Sequence, residues 1–343
     1  MKILSIGQFS KDGSSNTCLH RNWALHKLGD VTEIDTTFQW NLICKILNYA
    51  YVTLKIPISY LRLQINKEII ATCKKQNFDI IWIDKGNYIL PSTLRYIKKI
   101  LPKSKIIGYS PDNMSERHNR TVWFEKGMKY YDWYLTTKSY IIDWLKVNGC
   151  KNILFVNNAY EDTFHHPYKL NDEERERLGG KIGFIGSWEK ERCDYILYLA
   201  DHGIPVKVWG TGKWLEYTNY SPNLTITGKA LFSEDYNKAL SAFDISLCFL
   251  RKINSDLQTT RTMEIPACKS LLMAERTSEH EALFKDNIEA VFFSSKEELL
   301  EKCKYLIQHP EQRKDIAEKG YQRCILSGYS NYNTLRVALS HIL

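Results

Sequence analysis

The sequence predicts an α/β protein built from two parallel sheets, each wound with helices. Three observations carry this. At 343 residues the chain is about two average domains long and can bury substantial cores. Short apolar runs alternate with helical patterns from end to end, the pattern of strands joined by crossover helices. Between residues 166 and 180 that rhythm breaks. Pro167, the charge run Asp172 to Arg177 and Gly179-Gly180 read there as a linker, with the run itself a solvated face.

In the first half, Lys2 to Ile6 reads as a strand ending in the small polar loop Gly7 to Ser15. A helix from about Asn16 to Leu28 follows, stopped by Gly29, and then the strand Val31 to Ile34. Further strands are expected at Asp79 to Ile83, Lys105 to Tyr109, Trp133 to Thr136 and Ile153 to Val156. Their ends release polar residues into loops: Asp84-Lys85-Gly86, Ser110-Pro111-Asp112-Asn113, Thr136-Thr137-Lys138 and Asn157-Asn158. Open α/β sheets bind ligands at such carboxyl ends.

The rhythm restarts with the strand Lys181 to Ile185, opening into Gly186-Ser187-Trp188, and a helix from about Arg192 to Leu199. Val206 to Trp209 and Leu224 to Thr227 are strands, and Ser233 to Ala242 is a helix with Ser233 as its expected N-cap. Asp244 to Leu250 is a buried strand, Arg251 to Arg261 a polar loop, and Thr262 to Cys268 the start of a helix containing Pro266. The strands Leu271 to Ala274 and Ala290 to Phe293 complete the sheet, followed by helices over Ser295 to Gln308 and Pro310 to Gly320. The expected division is 1–165, a linker at 166–180, 181–328, and a last helix from 329 to the end.

Composition excludes several classes. Apolar residues are 44% and charged residues 25%, neither disordered nor membrane-spanning, and no uncharged apolar run is long enough to cross a bilayer. Nine cysteines without a C-x-x-C pair argue against a zinc ribbon or redox dithiol and for reduced thiols. The first apolar run is too short for a signal peptide, so a cytoplasmic protein is expected. The net charge of +8 lies in the first half. Residues 1–168 hold 23 basic and 14 acidic side chains and residues 169–343 hold 24 and 25, giving +9 and −1.

Two such halves would set their strand ends opposite each other across a cleft. Three segments then carry a resemblance. They are Asn158 to Pro167, Lys181 to Ser187 with Val206 to Gly212, and the string from Arg251 through Asp256 and Thr260-Arg261-Thr262-Met263-Glu264 to Ala274-Glu275-Arg276-Thr277-Ser278-Glu279-His280. In order and character they resemble the group 1 glycosyltransferases of GT-B architecture, in the branch that includes spore-maturation-protein-like enzymes. The resemblance implies two Rossmann-like domains facing a cleft, an acceptor-binding first domain, a nucleotide-sugar-binding second domain, and a C-terminal helix that returns to the first. It implies sugar transfer from a nucleoside-diphosphate sugar to a polysaccharide, glycolipid or glycoprotein precursor, with no further cofactor. Asp256 and Glu264 stand eight positions apart, as in the family's paired acids with Asp for the first Glu. By resemblance Asp256 contacts the donor sugar and Glu264 the ribose; their spacing favours retention of the anomeric configuration, with inversion by Asp112 or His20 as base the alternative.

The residue chemistry agrees. A nucleotide sugar needs cations or free amides for its phosphates and carboxylates for its diols. Arg251, Arg261 and Arg192 are candidates to neutralise the diphosphate, with Thr260 beside them. Gly186 and Ser187 form the first loop of that site, and the amides around Thr277 and Ser278 a second. Each arginine could instead be a surface ion pair, and Glu264 a helix N-terminal acid. On the acceptor side, Gly13-Ser14-Ser15-Asn16 precedes the first helix, His20 lies in its first turns, and Asp112 is the candidate base or positioner of the acceptor hydroxyl. His20 reads more readily as a helix-surface histidine. His165-His166 lacks a third metal ligand and reads as linker. The absence of Asp-x-Asp favours a metal-free mechanism, and Gly210-Thr211-Gly212 is incomplete as a dinucleotide motif. Rival readings on the same fold are a nucleotide-sugar epimerase and a non-catalytic surface-layer assembly protein.

Leu42, Ile43, Ile46, Leu47, Ala50, Tyr51 and Leu54 recur at helical spacing, with Lys45, Lys55, Arg62 and Lys67 nearby. This is either a core-facing helix or a surface that rests on an anionic membrane carrying a lipid-linked acceptor. No basic stripe with interleaved aromatics points to nucleic acid.

Overall fold

The computed structural model describes residues 1–9 and 16–343. The expected loop contribution of Gly13, Ser14 and Ser15 lies outside these residues. The chain divides into two compact units, Met1–Asn157 with Asn331–Leu343, and Asn158–Ser330.

In the first unit the strands are β1 (Lys2–Gly7), β2 (Asp30–Asp35), β3 (Ile80–Asp84), β4 (Lys105–Ser110), β5 (Trp133–Thr136) and β6 (Ile153–Phe155). They form one sheet in the order β2-β1-β3-β4-β5-β6, every pair parallel. Both faces are covered over the central strands, which is why β1, β3 and β4 read as largely apolar runs, whereas the edge strand β2 is mostly polar. On one face, Ile3, Ile80, Trp82 and Ile107 meet Ala24 and Leu25 and the last helix, Asn331–Ile342, through Leu335, Ala338 and Leu339. On the other, Leu4, Ile6, Ile81 and Ile83 meet Ile69, Leu94 and Ile97.

In the second unit the strands are β7 (Gly180–Ile185), β8 (Val206–Trp209), β9 (Leu224–Ile226), β10 (Phe243–Cys248), β11 (Leu271–Glu275) and β12 (Val291–Phe293). Their order, β12-β11-β10-β7-β8-β9, is that of a doubly wound Rossmann sheet. Winding reverses between β7 and β10, which pair directly with Ile245 beside Ile182. In the first unit it reverses between β1 and β3, with Ile6 beside Ile83. The loops leaving these two places are where each unit has room for a ligand.

Three local readings differ from the sequence expectation. Residues 172–178, expected as linker, are a helix of the second unit. Asn171 and Glu174 close a capping box at its start, and Leu178 is fully buried. The chain passes between units after Asn157 and again after Ser330, at neither of which composition changes. Ser233 does not cap its helix. Phe232 takes the capping position, and Ser233 is the first helical residue with φ of 51°.

The stretch 42–54 does not turn its apolar residues inward. Only Ala50 and Tyr51 of the helix Leu42–Val52 are buried, while Leu42, Ile43 and Ile46 are 72%, 66% and 57% exposed. All nine cysteines are free thiols, eight of them buried. Among the described residues no helix is long and apolar enough to cross a membrane.

Candidate functional site

In the second unit the reversal point gathers three arginines. Gly186 directly follows β7 with both backbone groups engaged, its N–H donating to the Trp209 carbonyl and its carbonyl accepting from Trp214 Nε1, each at 3.0 Å. That fixed turn leads into the helix Lys190–Asp201, whose Arg192 reaches back and donates from Nη1 to the Ser187 carbonyl at 3.1 Å. Arg251 follows β10, and Arg261 opens the helix Arg261–Ala267. Glu189 bridges two of them, 3.0 Å from Arg251 Nε and 3.2 Å from Arg192 Nη2.

The cluster is under-compensated. Arg192 is buried, yet its Nε has no hydrogen-bond partner, and neither has that of Arg261. Burial lowers the Arg192 pKa most; Glu189 opposes this, and the charges of Arg261 and Arg251 add to the lowering. Arg261 is held above its ordinary value despite burial, because Tyr236 and Glu264 lie beside it. Buried guanidinium groups with unspent N–H donors are costly without a partner, and an anion of two phosphates matches both their charge and their donors.

Glu264 sits beside this cluster and is buried. Tyr236, on the helix Ser233–Ala242, donates its hydroxyl to Glu264 Oε2 at 2.5 Å. His165 Nε2 is 3.6 Å from the other oxygen, Oε1. His165 Nδ1 accepts from the Glu161 N–H at 3.0 Å, so a neutral ring carries its proton on Nε2, facing Glu264. Burial drives the His165 pKa down to about 3, so the ring is neutral at physiological pH. The carboxylate is thereby fixed in orientation while keeping lone pairs for a diol.

The loop between Arg251 and Thr260 is tied down from both sides. Asp256 is buried, and its N–H donates to the Arg251 carbonyl at 3.2 Å after Ser255 turns the chain with φ of 52°. Gln258 accepts from the Asn158 N–H at 2.9 Å and donates to Glu279 at 2.8 Å. Thr260 caps the helix through its carbonyl, which accepts from Met263 and Glu264 N–H, each at 2.9 Å. Thr277 donates to the Leu257 carbonyl at 2.7 Å and accepts from the His280 N–H at 3.0 Å, so its side chain holds this loop. Ser278 is exposed.

In the first unit, the reversal point opens into a cavity of 420 Å³. At its floor Arg21 makes a two-pronged pair with Asp84, Nε to Oδ2 at 2.7 Å and Nη2 to Oδ1 at 3.0 Å, and stacks 4.2 Å over the Tyr109 ring. Lys85 pairs with Asp112 at 2.5 Å on the wall, and Trp40, Tyr60 and Tyr88 form an aromatic side. Burial pushes the Asp112 carboxyl up, but Lys85, with Lys138 and Arg21, outweighs it and leaves the pKa below the usual range. His20 is not in this cavity: Thr17, Cys18 and Arg21 of its helix line it, and His20 is buried 5.1 Å from the Trp23 ring. One helical position separates the two outcomes, since adjacent residues point about 100° apart.

Thus Arg192, Arg251, Arg261, Glu264, Gly186 and Ser187 share one region of the second unit and Asp112 stands in the cavity of the first. Tyr236, His165 and Glu189, and the pairing of Arg21 with Asp84, were not anticipated. Only the strand-end run Asp84-Lys85-Gly86 signalled any of them. Among the described residues no group of three His, Cys, Asp or Glu side chains converges.

Residues 192–339 match a family described as glycosyl transferase-like. No curated protein matches the chain. Several solved structures share its fold over nearly all of both chains. HepE of Anabaena, crystallised with UDP-glucose, aligns with TM-score 0.65 at 12% identity over 99% of each chain. Sucrose-phosphate synthase of Thermosynechococcus elongatus gives 0.62 at 11%, over 99% of this chain and 98% of that one. An alpha-glucosyltransferase solved with UDP and a mismatched DNA gives 0.67 at 12%, over 100% and 99%. The fold is therefore the two-domain GT-B architecture expected from the sequence, and the second half carries the expected family signal.

Proposed function

We propose that this chain, whose fold is GT-B and whose residues 192–339 match a glycosyl transferase-like family, transfers a sugar from a UDP-sugar to a hydroxyl of a carbohydrate-containing acceptor. The observation that carries this reading is the arginine cluster at the reversal point between β7 and β10, in which buried Arg192 and half-buried Arg261 keep unspent N–H donors. UDP is the nucleotide in the complexes of HepE and of the alpha-glucosyltransferase. Arg192, Arg251 and Arg261 would take the diphosphate, Glu264 the ribose hydroxyls and Asp256 the sugar. The bond from the anomeric carbon to the diphosphate breaks, the acceptor oxygen bonds to that carbon, and its proton goes to the departing phosphate. The arginines answer the charge that grows on the leaving group, so the reading needs no metal ion. Asp112 stays ionised beside Lys85, which suits it to accept a hydrogen bond from the acceptor hydroxyl and orient it. Retention of configuration follows from the same roles, the leaving phosphate serving as base.

Calorimetric titration with UDP tests the donor site. Glu264→Gln should weaken binding by roughly 10- to 100-fold, the loss of charge-assisted bonds to the diol. Tyr236→Phe should cost less, since the carboxylate remains and only its orientation is loosened. Unchanged affinity in Glu264→Gln would remove the ribose role.

A further inference from the structure

The first unit carries an apolar surface that its own fold leaves open. From Trp40 through Leu63 the chain exposes Leu42, Ile43, Ile46 and Tyr49 on one helix, and then Leu54, Ile56, Ile58 and Leu61 on the segment that follows. These side chains all fall within residues 42–61, and most are more than half exposed, while a few dozen residues away the same unit packs its apolar side chains to near-complete burial. An apolar face of this extent marks an interaction surface.

Its charge selects the partner. Between Asp35 and Glu68 the sequence holds no acidic residue, but it does hold Lys45, Lys55, Arg62 and Lys67. Lys45 lies between Ile43 and Ile46 and is exposed with them, as is Lys55 beside Leu54 and Ile56. Apolar side chains that enter the acyl boundary, flanked by lysines and edged by Trp40 and Tyr49, match a bilayer surface with anionic headgroups.

The surface also adjoins the cavity. Trp40 and Asn48 line the cavity mouth, and Trp40 is at the same time part of the exposed stretch. One helix therefore presents Asn48 to the cavity and Ile43 and Ile46 to the outside.

We propose that residues 40–63 dock the protein on an anionic phospholipid bilayer, setting the mouth of the first unit's cavity against the membrane surface. This rests on the glycosyltransferase reading for the meaning of the cavity, in which the acceptor then belongs to the lipid-linked class, but the docking itself does not depend on that reading.

The test is co-flotation of the full chain with vesicles of phosphatidylcholine alone and of phosphatidylcholine mixed with phosphatidylglycerol, with UDP affinity measured on the same samples. The expected result is flotation with the mixed vesicles only, weakened by salt. Ile43→Glu with Ile46→Glu should lower partitioning at least about tenfold, as should Lys45→Glu with Lys55→Glu. Both pairs are exposed, and UDP affinity should be unchanged in each. Three results would overturn the proposal: no flotation with mixed vesicles, equal flotation of the Ile43→Glu/Ile46→Glu variant, or a dimer in sedimentation that this variant dissolves. Failure to float with UDP binding intact rejects docking and spares the donor site. Flotation without UDP binding upholds docking and rejects the donor site.

Discussion

Replacing Arg192 by methionine separates a functional arginine from a structural one. Methionine keeps most of the volume beside Phe184, over whose ring the guanidinium lies at 5.6 Å, and removes the charge. The folded protein loses the Nη1 bond to the Ser187 carbonyl and the pairing with Glu189, about 1–3 kcal/mol together for a hydrogen bond and a partly shielded ion pair. Against this it sheds a buried, unpartnered Nε, worth about 1–3 kcal/mol of desolvation, and the repulsion from Arg261 and Arg251. The two sides nearly cancel, so stability in urea should change by less than about 1 kcal/mol, and a small gain is within reach. Binding has no such offset. One lost charge-assisted phosphate contact of about 1.5–3 kcal/mol should weaken UDP by roughly 10- to 150-fold in calorimetry. A variant that loses more than about 2 kcal/mol of stability while binding UDP normally would make Arg192 a strut and refute the cluster's role as an anion site.

Two further outcomes are expected. Asp84→Asn leaves the Arg21 guanidinium buried without its carboxylate and should cost about 3–5 kcal/mol of first-unit stability in urea, followed by tryptophan fluorescence. Arg21→Met with Asp84→Leu should recover most of it, and a single variant within about 1 kcal/mol of the parent would show that the pair is not carrying that load. His165 has its pKa lowered from 6.5 to about 3 in the folded protein, so the unfolded chain takes up its proton first. Its contribution is therefore complete above about pH 6.5 and is lost as the pH falls toward 3, by several kcal/mol. The slope of stability against pH in that window should flatten in His165→Gln, and an unaltered slope would assign the acid sensitivity elsewhere.

Strand positions were legible because a parallel sheet buried on both faces demands unbroken apolar runs, and β1, β3, β4, β7 and β10 all supply them. Arg192, Arg251, Arg261 and Glu264 were singled out for a chemical reason, since a diphosphate and a diol leave few alternatives to guanidinium and carboxylate, and the second unit gathers them in one region; that they hold the donor is the proposal made above. His20 failed because a helix face is decided by what packs on it, and the first helix turns Thr17, Cys18 and Arg21 to the cavity. The helix at 42–52 had an apolar stripe equally suited to a core or a surface, and only the packing of Ala50 and Tyr51 against the unit shows which side is left open.

By itself the sequence determined the α/β class and two domains, and it supplied the guanidinium and carboxylate side chains on which the proposed donor site rests, since periodicity and side-chain chemistry are local properties. The partners of those side chains were decided by tertiary structure alone. Tyr236 reaches Glu264 across 28 residues, Arg21 reaches Asp84 across 63, and Glu189 reaches Arg251 across 62. Such pairs are made when strands distant in sequence lie side by side, and strand order is a property of the whole sheet that no single segment encodes.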